Sequence, residues 1–228
     1  ILIMEKMKKF NWGENNDWYK KTITEEIFGE ISCYEKIFQI EEGDLVLDAG
    51  ASIGPFGYSL KNKNIKHIYC IEPSLKQIEV MEDNLLDMPY TIIPYAIGNE
   101  DILIEELGFG DNSGKLISAK SKPFMEIINE YNIDKIDFLK TDCEGGEYNI
   151  FLIENLEWIK DNVKKISGEW HLSTPELKDK FRAFRDVYLK LLPNYRVNSI
   201  CGTDIKWRLW NDDFIDYYTE VIIHIDNR

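Results

Sequence analysis

The sequence has no basic block, no paired cysteines and no long apolar run, and each absence removes a class of function. Acids outnumber lysines and arginines 41 to 27, a net charge of −14. A chain so charged is poorly equipped to neutralise phosphates, so nucleic acid is not an expected partner. The same argument disfavours anionic membrane surfaces. No stretch is apolar for long enough to span a bilayer, and no signal-peptide pattern is present. The four cysteines (Cys33, Cys70, Cys143 and Cys201) are scattered without a C-x-x-C pair. Neither a disulfide framework nor a zinc site is expected, and a reducing cytoplasm is the simplest setting.

What is present suits one soluble α/β domain. The 228 residues, 44% hydrophobic and 30% charged, can bury one sizeable core but are few for two. Residues 1–42 read as an N-terminal helical segment packing on the core, with an apolar stripe over 22–39. Residues 43–228 read as a single domain. Apolar strands at 45–49, 67–72, 91–97, 136–142 and 163–170 alternate with helices beginning near Ile53, at the capping box Ser74-x-x-Gln77, at Pro123, behind Asp142 and at Thr174-Pro175-Glu176. The helix behind Asp142 is expected to carry Tyr148 to Ile159 on one stripe. Residues 102–104 and 116–118 form a hairpin hung on the sheet edge, its loop punctuated by Gly108, Gly110 and Gly114. Two strands, 195–200 and 220–225, close the chain with no helical pattern between them. The expectation is a doubly wound, mostly parallel seven-stranded sheet with helices on both faces, one antiparallel strand near the C-terminus and an added hairpin.

The most informative stretch is Leu45 to Gly54. It reads as a buried strand ending in Asp48, then a turn with Gly50, Ala51, Ser52 and Gly54. About twenty residues on, the next strand closes on Glu72 and Pro73. This is the layout of a nucleoside cofactor site, with Glu72 placed to accept both ribose hydroxyls. The spacing G-x-x-x-G is not the G-x-G-x-x-G that cradles a pyrophosphate. Acids without a phosphate nest suit a cationic nucleoside, S-adenosylmethionine.

Strand ends carry the other candidates. Ala96 and Ile97 would flank an adenine. Asp142-Cys143-Glu144-Gly145-Gly146-Glu147 puts three acids in six residues, a set able to hold an ammonium, substrate hydroxyls or a divalent cation. Glu147 alone is explained by the start of the next helix. Glu169 and His171, two apart, face one side and could act with Asp142 as a proton acceptor. Of the other histidines, His67 and His224 read as structural. The aromatic segment Trp207, Trp210, Phe214, Tyr217 and Tyr218 reads as a flap or the wall of a sugar site.

With these residues in hand, the chain resembles a Rossmann-like class I methyltransferase, and more narrowly the FkbM family. The resemblance rests on Leu47 to Gly54, Ile71-Glu72-Pro73-Ser74, Pro94 to Gly98 and, most specifically, Asp137 to Glu147, within about residues 43–172. Ser52 stands where the family usually has asparagine. The resemblance implies methyl transfer from S-adenosylmethionine to a hydroxyl, often on a sugar or natural product. It implies a small-molecule or saccharide acceptor, with no required metal; a divalent ion is the less favoured variant. An NAD-dependent oxidoreductase and a non-catalytic binding module are the competing classes, and the oligomeric state is not legible.

Overall fold

The computed structural model describes residues 7, 9–15, 17–105, 116–191, 194–198 and 208–227. Helix α1, Asp17–Glu26, precedes the central strand β1, Leu45–Ala49. Then come α2 (Pro55–Ser59), β2 (His67–Ile71), α3 (Leu75–Leu85), β3 (Tyr90–Ile93) and the short β4 (Ala96–Ile97). A hairpin, β5 (Ile102–Glu105) and β6 (Leu116–Ala119), leads to β7 (Ser121–Lys122), α4 (Phe124–Glu130) and β8 (Ile136–Thr141). The chain continues through α5 (Glu147–Ile150), α6 (Leu156–Asn162), β9 (Val163–His171) and α7 (Pro175–Ala183). It finishes with β10 (Tyr195–Asn198), α8 (Asp212–Tyr217) and β11 (Glu220–Asp226).

Seven strands form one sheet in the order β10-β11-β9-β8-β1-β2-β3. β1 pairs in parallel with both β2 and β8, and β11 runs antiparallel to β9 and β10. The expected sheet, with its single reversed strand, is the observed one. Strands of period two send Leu47, Ala49 and Leu139 into one core and Val46 and Phe138 into the other. The second core also takes up Phe10, Tyr19, Phe28 and Tyr34 from the N-terminal residues. Among the described residues no helix is long and apolar enough to cross a membrane.

Both signalled helix starts are present: Ser74 accepts from the Gln77 N–H and Thr174 from the Leu177 N–H. Other local expectations change. The apolar stripe at 22–39 is not one helix: α1 ends at Glu26, and Cys33–Glu35 is a separate 3₁₀ turn begun by the Ser32 side chain. The stretch behind Asp142 breaks after Ile150. The Asn155 amide donates to the carbonyls of Asn149 and Ile150, the acceptors a continuing helix would use. Pro94 separates β3 from β4, so 91–97 is not one strand. The hairpin pairs with itself instead of extending the main sheet. Its loop glycines lie outside the described residues, as do Cys201 and Trp207. Between the last two strands lies a helix, α8, started by the Asn211 side chain; six residues are too few to show a period.

Candidate functional site

β1 leads onward to β2 and β3 on one side of it, and the chain returns to build β8 and β9 on the other. The crevice at the carboxyl ends of β1 and β8 is therefore the switch point of the sheet, where ligands of such folds bind. A cavity of about 590 Å³ opens there, a size suited to a nucleoside-sized ligand.

Its floor is the turn after β1. The N–H groups of Gly50 and Ala51 both donate to the Ile71 carbonyl at 3.0 Å, tying the turn to the end of β2. Gly50 has φ +78, and a Cβ there would lie 1.7 Å from the Asp142 carbonyl oxygen. Both facts demand glycine. Gly50→Ala is expected to cost about 3 kcal/mol or more of stability in denaturant unfolding; a loss below about 1 kcal/mol would mean that the turn and the 142 loop separate easily.

Glu72 lies on the wall, and its two oxygens accept from the Ser52 N–H at 2.9 Å and the Ser74 N–H at 2.8 Å. Burial pushes its carboxyl up to about 7, against those two hydrogen bonds. Each oxygen keeps acceptor capacity for a ligand hydroxyl. Ala51, Ser52, Pro73, Ala96, Ile97 and Asp142 also line the cavity. The Tyr19 hydroxyl of α1 lies 2.5 Å from Ser52 Oγ, and the Asn149 amide donates to the Ile97 carbonyl.

Two expected cofactor residues stand off the wall. Asp48 is fully buried and paired with Lys140 at 3.0 Å, beneath the turn. A Cβ on Gly54 would meet Met81 Cγ at 2.9 Å, so close approach of α3, not of a ligand, explains that glycine. Lys140, absent from the candidates above, organises the floor: it donates to the Gly50 carbonyl at 2.7 Å and lies 3.9 Å from Asp142. Its signal was available. Lys140 sits opposite Asp48 in the β1–β8 register, and a lysine in a strand buried on both sides needs a carboxylate. Tyr34, whose hydroxyl donates to Asp142 at 2.8 Å, had no such signal.

The third group is an acid cluster centred on His171. Its Nε2 lies 3.3 Å from Glu144, 3.5 Å from Glu169 and 3.8 Å from Asp142, and its Nδ1 lies 3.4 Å from Glu147. Of these residues Asp142 and Glu144 reach the cavity wall, and His171 and Glu169 stand behind them. Glu147 does more than favour a helix start: fully buried, it accepts from the N–H groups of Gly145 and His171, clamping the 142–147 turn to the end of β9. Burial alone would lower the His171 imidazole, but Glu147, Asp142 and Glu144 outweigh it and hold it up at about 10. Burial, then the Asp142 charge, pushes Glu169 well above the carboxylate range. At neutral pH the resting cluster therefore retains protons on both. One ligand atom each from Asp142, Glu144 and His171 also fall within 4.8 Å of one another, close enough to share a cation. The remaining histidines are structural: His67 Nε2 meets Thr91 Oγ1, and His224 Nδ1 meets Ser167 Oγ.

The family model for the FkbM methyltransferase domain matches residues 48–198, the stretch from the end of β1 through β10. No curated protein matches the chain in sequence. Among solved structures, a putative rRNA-methylase from Clostridium thermocellum is similar at 14% identity and TM-score 0.48, covering 82% of this chain and 90% of that one. Aeropyrum pernix fibrillarin, in complex with natively bound S-adenosyl-L-methionine, is similar at 12% identity and TM-score 0.46, covering 85% of this chain and 71% of that one. The family match spans the floor turn, Glu72 and the 142–147 loop: the chain belongs to the FkbM methyltransferase domain family and is an S-adenosylmethionine-dependent methyltransferase.

Proposed function

We propose that the protein methylates a hydroxyl of a sugar or other small, natural-product-like acceptor. The observation that carries this reading is the cluster of His171 with Asp142, Glu144 and Glu169, on and behind the wall of the cavity. A hydroxyl is a poor nucleophile near neutral pH, and its proton must leave as the methyl arrives. An acidic wall in a chain of net charge −14 also suits a small neutral acceptor better than nucleic acid.

The residues fit the cofactor. Glu72 retains acceptor capacity for the ribose, the Gly50–Ser52 turn faces the methionine part, and Ala96 and Ile97 flank the base. Asp48 and Gly54 support this turn from below and behind. When bound, S-adenosylmethionine supplies an electrophilic methyl group on a sulfonium. Asp142, the cluster's half-buried member on the wall, meets the acceptor hydroxyl and takes its proton, with His171, freed of its own proton, as the next holder and the protonated Glu169 beside it. The chain's further task is alignment, which α1 and the 142–147 loop perform by closing the cavity on two sides.

The resting protons give this reading a test. A cation arriving beside the cluster competes with the proton on His171, so cofactor binding frees that imidazole to act as a base. Calorimetric titration in buffers of different ionisation enthalpy is expected to show S-adenosylmethionine binding with proton release. S-adenosylhomocysteine, without the sulfonium charge, should release fewer protons, and NAD should not bind. NAD binding without either sulfur compound would favour an oxidoreductase. Equal proton release by both sulfur compounds would uncouple the cluster from the reacting centre.

A further inference from the structure

Left-handed backbone at a residue other than glycine is uncommon, and asparagine and aspartate tolerate it best. Among the described residues five non-glycine positions have positive φ. Asn64, Asp87 and Asn132 are of the tolerant types. The other two, Ser52 (φ 51) and Glu144 (φ 52), both line the first cavity. Such a conformation persists only where surrounding contacts enforce it, and it gathers at ligand sites. Glu144 has the His171 imidazole at 3.3 Å. Ser52 is gripped from two sides: its N–H donates to Glu72 Oε2 at 2.9 Å, and its Oγ lies 2.5 Å from the Tyr19 hydroxyl.

Tyr19 belongs to α1, ahead of the residues that the family model matches. The helix turns one stripe toward the cavity: Tyr19 and Ile23, four apart, line it, as does Ile27 just past the helix end. Within α1 Tyr19 alone is buried, while its neighbour Trp18 is 63% exposed. The meeting of the two hydroxyls is thus where α1 ties to the floor turn.

We propose that Tyr19 is a positioning residue for the cofactor's ribose, acting through Ser52 and Glu72. The Tyr19 hydroxyl holds Ser52 Oγ and so keeps residue 52 in its left-handed conformation. That conformation directs the Ser52 N–H to one oxygen of Glu72, and the Ser74 N–H fixes the other at 2.8 Å. The carboxylate is then in place before the ribose arrives, which lowers the ordering cost of binding. The inference rests on Glu72 as the ribose acceptor and extends that site to a helix outside the matched domain.

The test is S-adenosylhomocysteine affinity of the full chain, measured by calorimetric titration in two double-mutant cycles. Tyr19→Phe, which keeps the ring against the cavity, is expected to weaken binding about threefold to tenfold. Ser52→Ala breaks the same contact, so the Tyr19→Phe/Ser52→Ala protein should bind no more weakly than the weaker single variant. In a Glu72→Ala background Tyr19→Phe should change affinity by less than about twofold, because the group it acts through is gone. A wall that is merely structural would still lose affinity there. Thermal unfolding checks that each variant is folded at the temperature of titration. Wild-type affinity in folded Tyr19→Phe, losses that multiply in the Tyr19→Phe/Ser52→Ala protein, or an undiminished Tyr19→Phe loss in the Glu72→Ala background would each overturn the positioning role. Unchanged affinity in Glu72→Ala itself would instead sink the ribose reading on which it rests.

Discussion

Glu72→Ala is expected to weaken S-adenosylmethionine binding by about 2–4 kcal/mol, roughly 30- to 1,000-fold, in calorimetric titration. The size follows from the position of the carboxylate. Glu72 is 7% exposed, so its bonds to two ribose hydroxyls would be made away from competing water. Its bonds to the Ser52 and Ser74 N–H groups hold it in place before the ligand arrives. Those bonds confound the alanine variant, because their loss also loosens the floor turn. Glu72→Gln provides the control: it preserves the shape and one acceptor oxygen, and should fall between wild type and alanine. Unchanged affinity in a folded Glu72→Ala protein would mean that the ribose is held elsewhere.

His171→Ala is expected to lower kcat by about 10²- to 10⁴-fold on any acceptor that turns over, with cofactor affinity within a few-fold of wild type. The imidazole is the shared neighbour of four carboxylates, and its removal takes away the base that cofactor binding frees. The competing account uses the same side chains differently: Asp142, Glu144 and His171 would hold a divalent ion that acidifies the acceptor hydroxyl. The geometry allows it, since Glu147 beside Nδ1 would orient the ring as a carboxylate partner orients a metal-ligating histidine. Treatment with EDTA separates the accounts. Activity indifferent to chelation but collapsing in His171→Ala supports the proton role. Activity lost in EDTA and restored by magnesium would reject it, His171→Ala then failing through loss of an ion ligand.

The cluster also shows where reasoning from the chain alone stops. Asp142 and Glu144 were visible as acids at a strand end, and Glu169 and His171 as a pair two residues apart. That these residues converge depends on β8 and β9 being neighbours in register, Thr141 opposite Gly168. A Cβ at Gly168 would lie 2.2 Å from Thr141 Cγ2, so this glycine lets the two strands lie together below the cluster. The sequence shows Glu147 only as a helix-start charge, because its clamp on His171 spans 24 positions. For Asp48 the sequence shows an acid at a strand end, and so a ligand candidate, but not which way it turns. In the fold its partner is a lysine on the next strand.

By itself the sequence determined the alternation of strands and helices, the parallel sheet with one reversed strand, and the glycine turn and Glu72 that line the cavity. Those features are local or periodic. Burial on alternate residues, a cap three positions from its partner and a glycine turn behind an apolar strand all leave a mark within one stretch of chain. Only the tertiary structure decided that Lys140 neutralises Asp48, that Tyr34 holds Asp142, and that His171 sits among four carboxylates. Each of these joins groups brought together by packing and by the order of strands in the sheet. The charges then set one another's protonation through space, a coupling that depends on distance and burial and leaves no periodic trace along the chain.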